Sequence, residues 1–301
     1  MEYKAPLETY SGSVKEVVIG KGDRSVKIGG ENILPLHYFE GKAANRPKIA
    51  LEIDDNCAAG WSEWVLEPYK DVVADPVKWA KKCLDLGADL ICLRLESTDP
   101  QGANIPADVA AALVKKVVAE VSAALVVYGC GDDKKDAEVL AAVAAACSGE
   151  NLLIGPAVKE NYEPLAKAVA EHGHCIIAQT PIDINLEKEL NVKLLKQLPP
   201  ERIVIDPLSS ALGYGMEYSF TIMERTKQVG VIHGDFAMQM PMIADLGGEC
   251  WKTNQARAGR EQGILWEGIT AMSLLLAGAN LLVLRHPDNC RMIKEAIDGK
   301  L

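Results

Sequence analysis

Carboxylates, amides and hydroxyls recur in this chain where short apolar runs stop. In order they are Asp54-Asp55-Asn56, Glu96-Ser97-Thr98-Asp99, Gln179-Thr180-Pro181, Asp206-Pro207-Leu208-Ser209, Asp245 and Arg285-His286. Gly129-Cys130-Gly131 and Gly155-Pro156-Ala157 follow two further runs in the same way. Such a set is acidic and hydrogen-bonding, and ionised carboxylates accept the strongest hydrogen bonds. Asp54, Asp99 and Asp206 could therefore hold the N–H groups of a heterocycle. They could equally cap the helices that follow, the commoner fate of Asp in such loops, and for Asp99 capping is the better reading. Acid–base or nucleophilic catalysis would need a proton-transfer group beside a nucleophile or a water. No Ser-His-Asp signature, HExxH motif or histidine pair occurs, and His233 and His286 stand alone. Neither Gly129-Cys130-Gly131 nor Gly20-Lys21-Gly22 continues into a nucleotide fingerprint.

The eight cysteines form no CxxC pair, and several lie inside apolar patterns. They read as free structural thiols in a reducing compartment. An iron–sulfur cluster or structural zinc held by this chain alone would need closer spacing. Cys57, Cys130 and Cys250 fall in loops of one face, but they come from the first, third and seventh units, and their separation in the ring argues against a shared metal.

The elements that must position these residues are strands alternating with helices. The sequence predicts strands over Ile49–Ile53, Leu90–Leu95, Leu125–Tyr128, Leu152–Ile154, Cys175–Ala178, Ile203–Ile205, Pro241–Ala244 and Leu281–Leu284. For the seventh, Val231-Ile232-His233 is the alternative. Helical periodicity predicts Pro76–Leu86, Ala107–Val121, Lys134–Cys147, Tyr162–Glu171, Leu186–Leu198, Met216–Val229, Leu265–Ala277 and Cys290–Asp298. Gly87-Ala88-Asp89 and Gly278-Ala279-Asn280 match the Gly-ended turn from helix to strand. Repeated βα units force a parallel sheet. Eight of them predict an α/β fold closed into a (β/α)8 TIM barrel, whose ligand-binding face lies at the strand C-termini. Residues 1–48 are expected to form an N-terminal extension carrying a β-hairpin, Val14–Gly20 with Ser25–Ile28, that plugs the barrel bottom. Residues 49–301 are expected to form the barrel.

A formal charge of -10 argues against a nucleic-acid partner. No long uninterrupted apolar segment spans a bilayer, and Met1-Glu2-Tyr3-Lys4 does not open a signal peptide, so a cytoplasmic location without membrane contact is expected. Trp61, Trp64 and Trp251, with Arg257, Arg260 and Arg285, fall on loops that a closed barrel makes neighbours. They read as anchors for a partner, against the alternative that the loops fold over their own barrel top.

Four stretches, Leu51-Glu52-Ile53-Asp54-Asp55, Asp206 to Tyr218, Gln239-Met240-Pro241-Met242 and Leu284-Arg285-His286-Pro287, resemble the small subunit of the corrinoid iron–sulfur protein, the acetyl-CoA decarbonylase/synthase delta subunit family. The resemblance covers essentially the whole chain. It implies a TIM barrel paired with a large subunit that carries a [4Fe–4S] cluster and a cobalamin-binding domain. It further implies methyl carriage, from a methyltetrahydrofolate methyltransferase to acetyl-CoA synthase, in the carbon-fixing reductive acetyl-CoA pathway. This chain would be a non-catalytic cap in a heterodimer, with no catalytic or metal-ligating residue of its own. Asp54, Gln179, Thr180, Asp206, Ser209 and Arg285 would then line a polar platform for the corrin. The strand ends also resemble dihydropteroate synthase and folate-dependent methyltransferases, which implies a pterin-binding methyltransferase as the alternative. Leu208-Ser209-Ser210 departs from that pattern where a glycine-rich turn belongs.

Overall fold

The computed structural model describes residue 4 and residues 7–299, apart from 36, 38, 42 and 43. The opening Met1-Glu2-Tyr3 and the last two residues of the expected barrel lie outside them. The chain enters from below the barrel. Strands β1 (Val17–Ile19) and β2 (Val26–Ile28) pair antiparallel as a short hairpin. Val17, Ile19 and Ile28 are fully buried and share a core with Ala50, Leu90, Ala124, Leu153, Cys175 and Leu281. Full burial of one such isoleucine stabilises the fold by about 2 kcal/mol. The Asn151 side chain latches the plug by donating to Val18 O at 2.7 Å, and Gly20 N donates to Asn151 O at 2.7 Å. Gly20 has a φ of +86°, and a Cβ there would lie 2.8 Å from Arg24 O and 3.1 Å from the Ala124 Cβ. A larger residue would therefore unseat the turn.

Eight parallel strands follow: β3 (Lys48–Asp54), β4 (Leu90–Arg94), β5 (Ala124–Tyr128), β6 (Leu153–Ala157), β7 (Cys175–Gln179), β8 (Ile203–Asp206), β9 (Ile243–Asp245) and β10 (Leu281–Leu284). Their order in the sheet is β8-β7-β6-β5-β4-β3-β10-β9. The ring closes where Ile205 bridges Met242 in parallel and donates its N–H to Pro241 O at 2.9 Å. The seventh strand is shorter and later than Pro241–Ala244, because the bridge to β8 takes up the residues before it. Val231 instead ends a helix.

Helices α1 (Glu63–Leu66), α2 (Pro76–Asp85), α3 (Ala107–Glu120), α4 (Asp133–Ala146), α5 (Tyr162–His172), α6 (Ile184–Leu194), α7 (Met216–Val231), α8 (Gly247–Trp251), α9 (Asn254–Arg257), α10 (Arg260–Leu276) and α11 (Pro287–Gly299) surround the ring. Side-chain caps explain several starts. Asp75, Asp132 and Asp183 accept hydrogen bonds from first-turn N–H groups of α2, α4 and α6. The short helices α1, α8 and α9 fold the two long loops back onto the barrel top.

Period-two alternation decides what the upper end of the barrel presents. Ala50, Cys92, Val126, Ile177, Val204, Ile243 and Val283 belong to the buried core inside the ring. Two residues further up the same strands stand Glu52, Arg94, Tyr128, Gln179, Asp206, Asp245 and Arg285. The inner face changes from apolar to polar in one step.

Candidate functional site

That step builds a hydrogen-bonded ring across the barrel top. Glu52 is wholly buried at its centre. Arg285 donates to it through Nε at 2.9 Å and a terminal nitrogen at 2.8 Å, and Arg94 donates through Nε at 3.0 Å. Arg94 also donates to Asp245 and lies 4.8 Å from the Tyr128 ring centroid. Burial pushes the Glu52 carboxyl up, but the Arg285 and Arg94 guanidiniums outweigh it and hold it down at about 2. Glu52 is thus ionised throughout the working pH range. Burial raises the Asp245 carboxyl against the pull of Arg94.

The other side of the ring is organised by Asp206, also wholly buried. Its Oδ2 accepts from Gln179 Nε2 at 2.8 Å and Tyr128 OH at 3.2 Å, and its Oδ1 accepts from Leu208 N at 3.0 Å. Burial raises this carboxyl to about 6, with the Asp245 charge adding to the rise and the three hydrogen bonds opposing it. The Leu208 N–H belongs to the loop itself, so Asp206 does not cap α7, which starts behind Gly215. Asp54 behaves alike: its Oδ1 accepts from Asn56 N at 2.9 Å and Ala58 N at 2.7 Å. Asp99 closes a turn onto Gln101 N at 2.8 Å, and Pro106 rather than Asp99 precedes α3. Beside the last strand, the Glu267 carboxylate accepts from Arg285 N at 2.7 Å, His286 N at 3.2 Å and the Asn289 amide at 2.7 Å. These bonds fix the backbone that aims Arg285 into the ring.

The six residues expected to line a polar platform fall into three places. Asp54, Ser209 and Arg285 line a basin of about 380 Å³ at the barrel mouth, with Trp61, Arg94 and Asp245. Gln179 and Thr180 line a separate cavity of about 360 Å³ beside α6. Asp206 is sealed beneath the mouth and joins the two sets through Gln179. Two buried oxygens at the mouth, Ser209 Oγ and Asp245 Oδ1, have no hydrogen-bond partner, and neither has Thr180 Oγ1. Unmet buried polar atoms cost about 1–3 kcal/mol each, which a polar ligand would recover.

The rim reading needs one correction. Trp251 is only 2% exposed and stacks on His286 with ring centroids 5.9 Å apart, so it is core and not an anchor. Trp61 and Trp64 are half-buried and pack on the core, Trp61 meeting Trp79 at 5.4 Å. Arg260 is held by Glu67 at 3.1 Å and Asp288 at 2.7 Å. Cys57 is exposed, Cys130 half-buried and Cys250 buried. Among the described residues, no three His, Cys, Asp or Glu side chains are grouped to hold a metal ion, and no helix is long and apolar enough to cross a membrane.

Three comparisons bear on this arrangement. The solved structures of dihydropteroate synthase from Xanthomonas albilineans with 4-aminobenzoic acid and from Thermus thermophilus superpose with TM-scores of 0.61 and 0.59. They cover 86% and 94% of this chain, and 96% and 100% of their own. At 16% and 13% identity they establish the TIM-barrel fold and nothing finer. The acetyl-CoA decarbonylase/synthase complex subunit delta of Archaeoglobus fulgidus is 34% identical over 97% of this chain and 69% of its own length. That of Methanothermobacter thermautotrophicus is 32% identical over 98% of this chain and 77% of its own length. A family model described as CO dehydrogenase/acetyl-CoA synthase delta subunit matches residues 16–294, and with these relatives it shows that the chain belongs to the acetyl-CoA decarbonylase/synthase delta subunit family.

Proposed function

We propose that this chain is the small subunit of a corrinoid iron–sulfur protein and that its barrel mouth caps a cobalamin held mainly by a large subunit. The observation that carries this reading is the polar ring with its open basin, on a chain of this family. A corrinoid far exceeds about 380 Å³, so the basin fits the edge or one face of such a ring and not its enclosure. Corrin is broad and edged with amides, and the mouth offers hydrogen-bond partners of matching kind in Asp54, Ser209, Asp245 and Arg285. Glu52 and Asp245 balance Arg94 and Arg285, so the floor suits a polar, weakly charged ligand. The cobalamin, when bound, supplies a cobalt that takes up and gives off a methyl group. The chain's own part is to cover that centre, orient it through the mouth residues and exclude water from it.

On this reading the partners are the large subunit with its [4Fe–4S] cluster, a methyltetrahydrofolate methyltransferase that loads the methyl group, and acetyl-CoA synthase that receives it. Neither nucleic acid nor membrane takes part, the complex works in the cytoplasm, and this chain is a carrier subunit and not an enzyme by itself. A cap that must admit a donor and then an acceptor has to open, which fits a polar face better than an obligate apolar one. The test is cobalamin retention on gel filtration. The heterodimer is expected to retain more cobalamin than the large subunit alone, and Arg285→Ala in this chain to reduce the difference. Equal retention with and without this chain would defeat the cap. Methyltetrahydrofolate titrated into this chain alone distinguishes the alternative, since saturable binding there would favour a pterin enzyme.

A further inference from the structure

The second cavity, about 360 Å³, lies between the loops that follow β6 and β7 and the stripe of α6 that carries Leu186, Glu189, Leu190 and Lys193. Its wall is mainly apolar, from Val158, Pro181, Leu186, Leu190 and Leu208. Leu186 remains 40% exposed there. Leu208 borders both this cavity and the mouth. Its φ is +64°, and Ile182, two residues past Thr180, has a φ of +35°. Left-handed backbone at non-glycine residues costs of order 1–3 kcal/mol each and gathers where a ligand is held. Here it is imposed by bonds from Leu208 N to Asp206 Oδ1 at 3.0 Å and from Ile182 N to Pro207 O at 3.3 Å.

Charged residues of this cavity stand at its rim, and two uncharged polar side chains, Gln179 and Thr180, belong to its wall. Thr180 is 6% exposed and its Oγ1 has no partner. Rotation about χ1 exchanges Oγ1 and a methyl group in nearly the same volume, so the hydroxyl can turn to a ligand as donor or acceptor. Gln179 commits its Nε2 to Asp206 at 2.8 Å, which leaves Oε1 for a donor. The rim opposes anions: Lys193 is paired with Glu189 at 2.6 Å, and Asp133 and Glu160 outnumber Lys159.

We infer that this cavity is a second binding site, separate from the barrel mouth, for an uncharged group that presents a carboxamide edge on an apolar body. A mostly apolar cavity of a few hundred cubic ångströms with one or two placed hydrogen-bonding groups is the usual form of a small-ligand site. The group has two possible sources, a free aromatic amide or a carboxamide arm of a corrinoid seated over the mouth. Only the second source rests on the cobalamin reading.

Three probes of one shape test the chemistry on the whole chain, with the methyl NMR signals of Thr180, Leu186, Leu190 and Leu208 as the readout. Benzamide is expected to shift these signals saturably. Benzoate and benzamidine, which must bring a charge against the apolar wall, are expected to bind about tenfold more weakly or worse. Thr180→Val should weaken benzamide about fivefold by removing one hydrogen bond. Leu186→Trp, at a position 40% exposed, should fill the cavity and abolish the shifts of the remaining methyl groups, with unchanged methyl signals elsewhere in the chain showing that the fold is intact. Benzoate or benzamidine binding as well as benzamide, or Leu186→Trp leaving benzamide binding intact, would overturn the inference. Cobinamide, added together with the large subunit, then separates the sources. If bound cobinamide displaces benzamide the site serves a corrin arm, and if both are bound together the site serves a free amide. Cobinamide that does not bind overturns the cobalamin reading and with it the corrin-arm source, leaving the benzamide result to stand for a free amide.

Discussion

The guanidinium of Arg285 lies 3.9 Å from the ring centroid of Trp61 while two of its nitrogens grip Glu52. A residue of the loop after β3 is thereby laid on the charged floor of the barrel. The stack shields one face of the cation from water and leaves the edge of the indole at the basin, where both residues form part of the lining.

Trp61 and Trp251, which look alike in sequence, should therefore respond oppositely to truncation. On the proposed function, Trp61→Ala is expected to weaken docking of the large subunit by about 2 kcal/mol, as a partly exposed aromatic anchor does. Its cost in stability should be smaller, about 1 kcal/mol. Trp251→Ala removes a buried side chain and should cost about 3–5 kcal/mol of stability. Urea denaturation and a docking titration on both variants measure the contrast. Equal effects of the two on docking, with the fold intact, would remove Trp61 from the interface.

Glu52→Gln tests whether the ring is held by its central charge. The substitution keeps the shape but leaves Arg94 and Arg285, both half-buried at the basin, with Asp245 as their remaining acid partner in the ring. Breaking a fully buried pair from one side costs about 3–5 kcal/mol, and the partial exposure of both arginines lowers the expected loss to about 2–3 kcal/mol. The midpoint of urea denaturation should fall accordingly at neutral pH. A loss under about 1 kcal/mol would mean that water reaches the arginines and that the ring is not sealed.

The fold was legible because each barrel strand is an apolar run ended by a turn, and each of the eight predicted runs overlaps an observed strand, the seventh only over Ile243 and Ala244. The ring was partly legible. Ala50-Leu51-Glu52 and Leu90-Ile91-Cys92-Leu93-Arg94 place a charge at the inward step of an otherwise apolar strand, a signal that points inside the barrel when read at period two. Reading only the strand ends passes over Glu52 and Arg94 in favour of the loop residues beyond them. The pairing of Gln179 with Asp206 depends on the register of β7 against β8, which sets these two residues side by side. The burial of Trp251 was not legible at all. It depends on Gly263, where a Cβ would lie 2.0 Å from the Trp251 ring, so that α10 can close over the indole. A close approach between a loop and a distant helix leaves no local pattern in either.

Asp206 gives the protein a pH dependence whose sign can be worked out. Burial lifts its carboxyl from an ordinary 3.8 to about 6 in the folded chain, the Asp245 charge assisting. The folded state therefore holds the proton more tightly than the unfolded state. At pH values below 3.8 both states are protonated and the shift has no effect. Between that point and about 6 the unfolded chain ionises first, and stability falls as the pH rises. Above the folded value the loss is complete at about 3 kcal/mol, taking 1.36 kcal/mol per pH unit. Asp206→Asn is neutral at every pH and should not show this loss. Glu267, raised by burial to about 7, slopes the same way but is present in both proteins. Glu187, raised to about 8, cancels in the part that burial sets, and the smaller part from the Asp206 charge adds to the difference. The measurement is thus a difference: the stability of the parent minus that of Asp206→Asn, by urea denaturation at pH 4 and pH 7.5. It should drop by about 2.5 kcal/mol across that interval, because the unfolded carboxyl is already partly ionised at the lower pH. A difference that stays flat would mean that Asp206 is ionised at no cost in the folded barrel, with its hydrogen bonds from Gln179, Tyr128 and Leu208 outweighing burial.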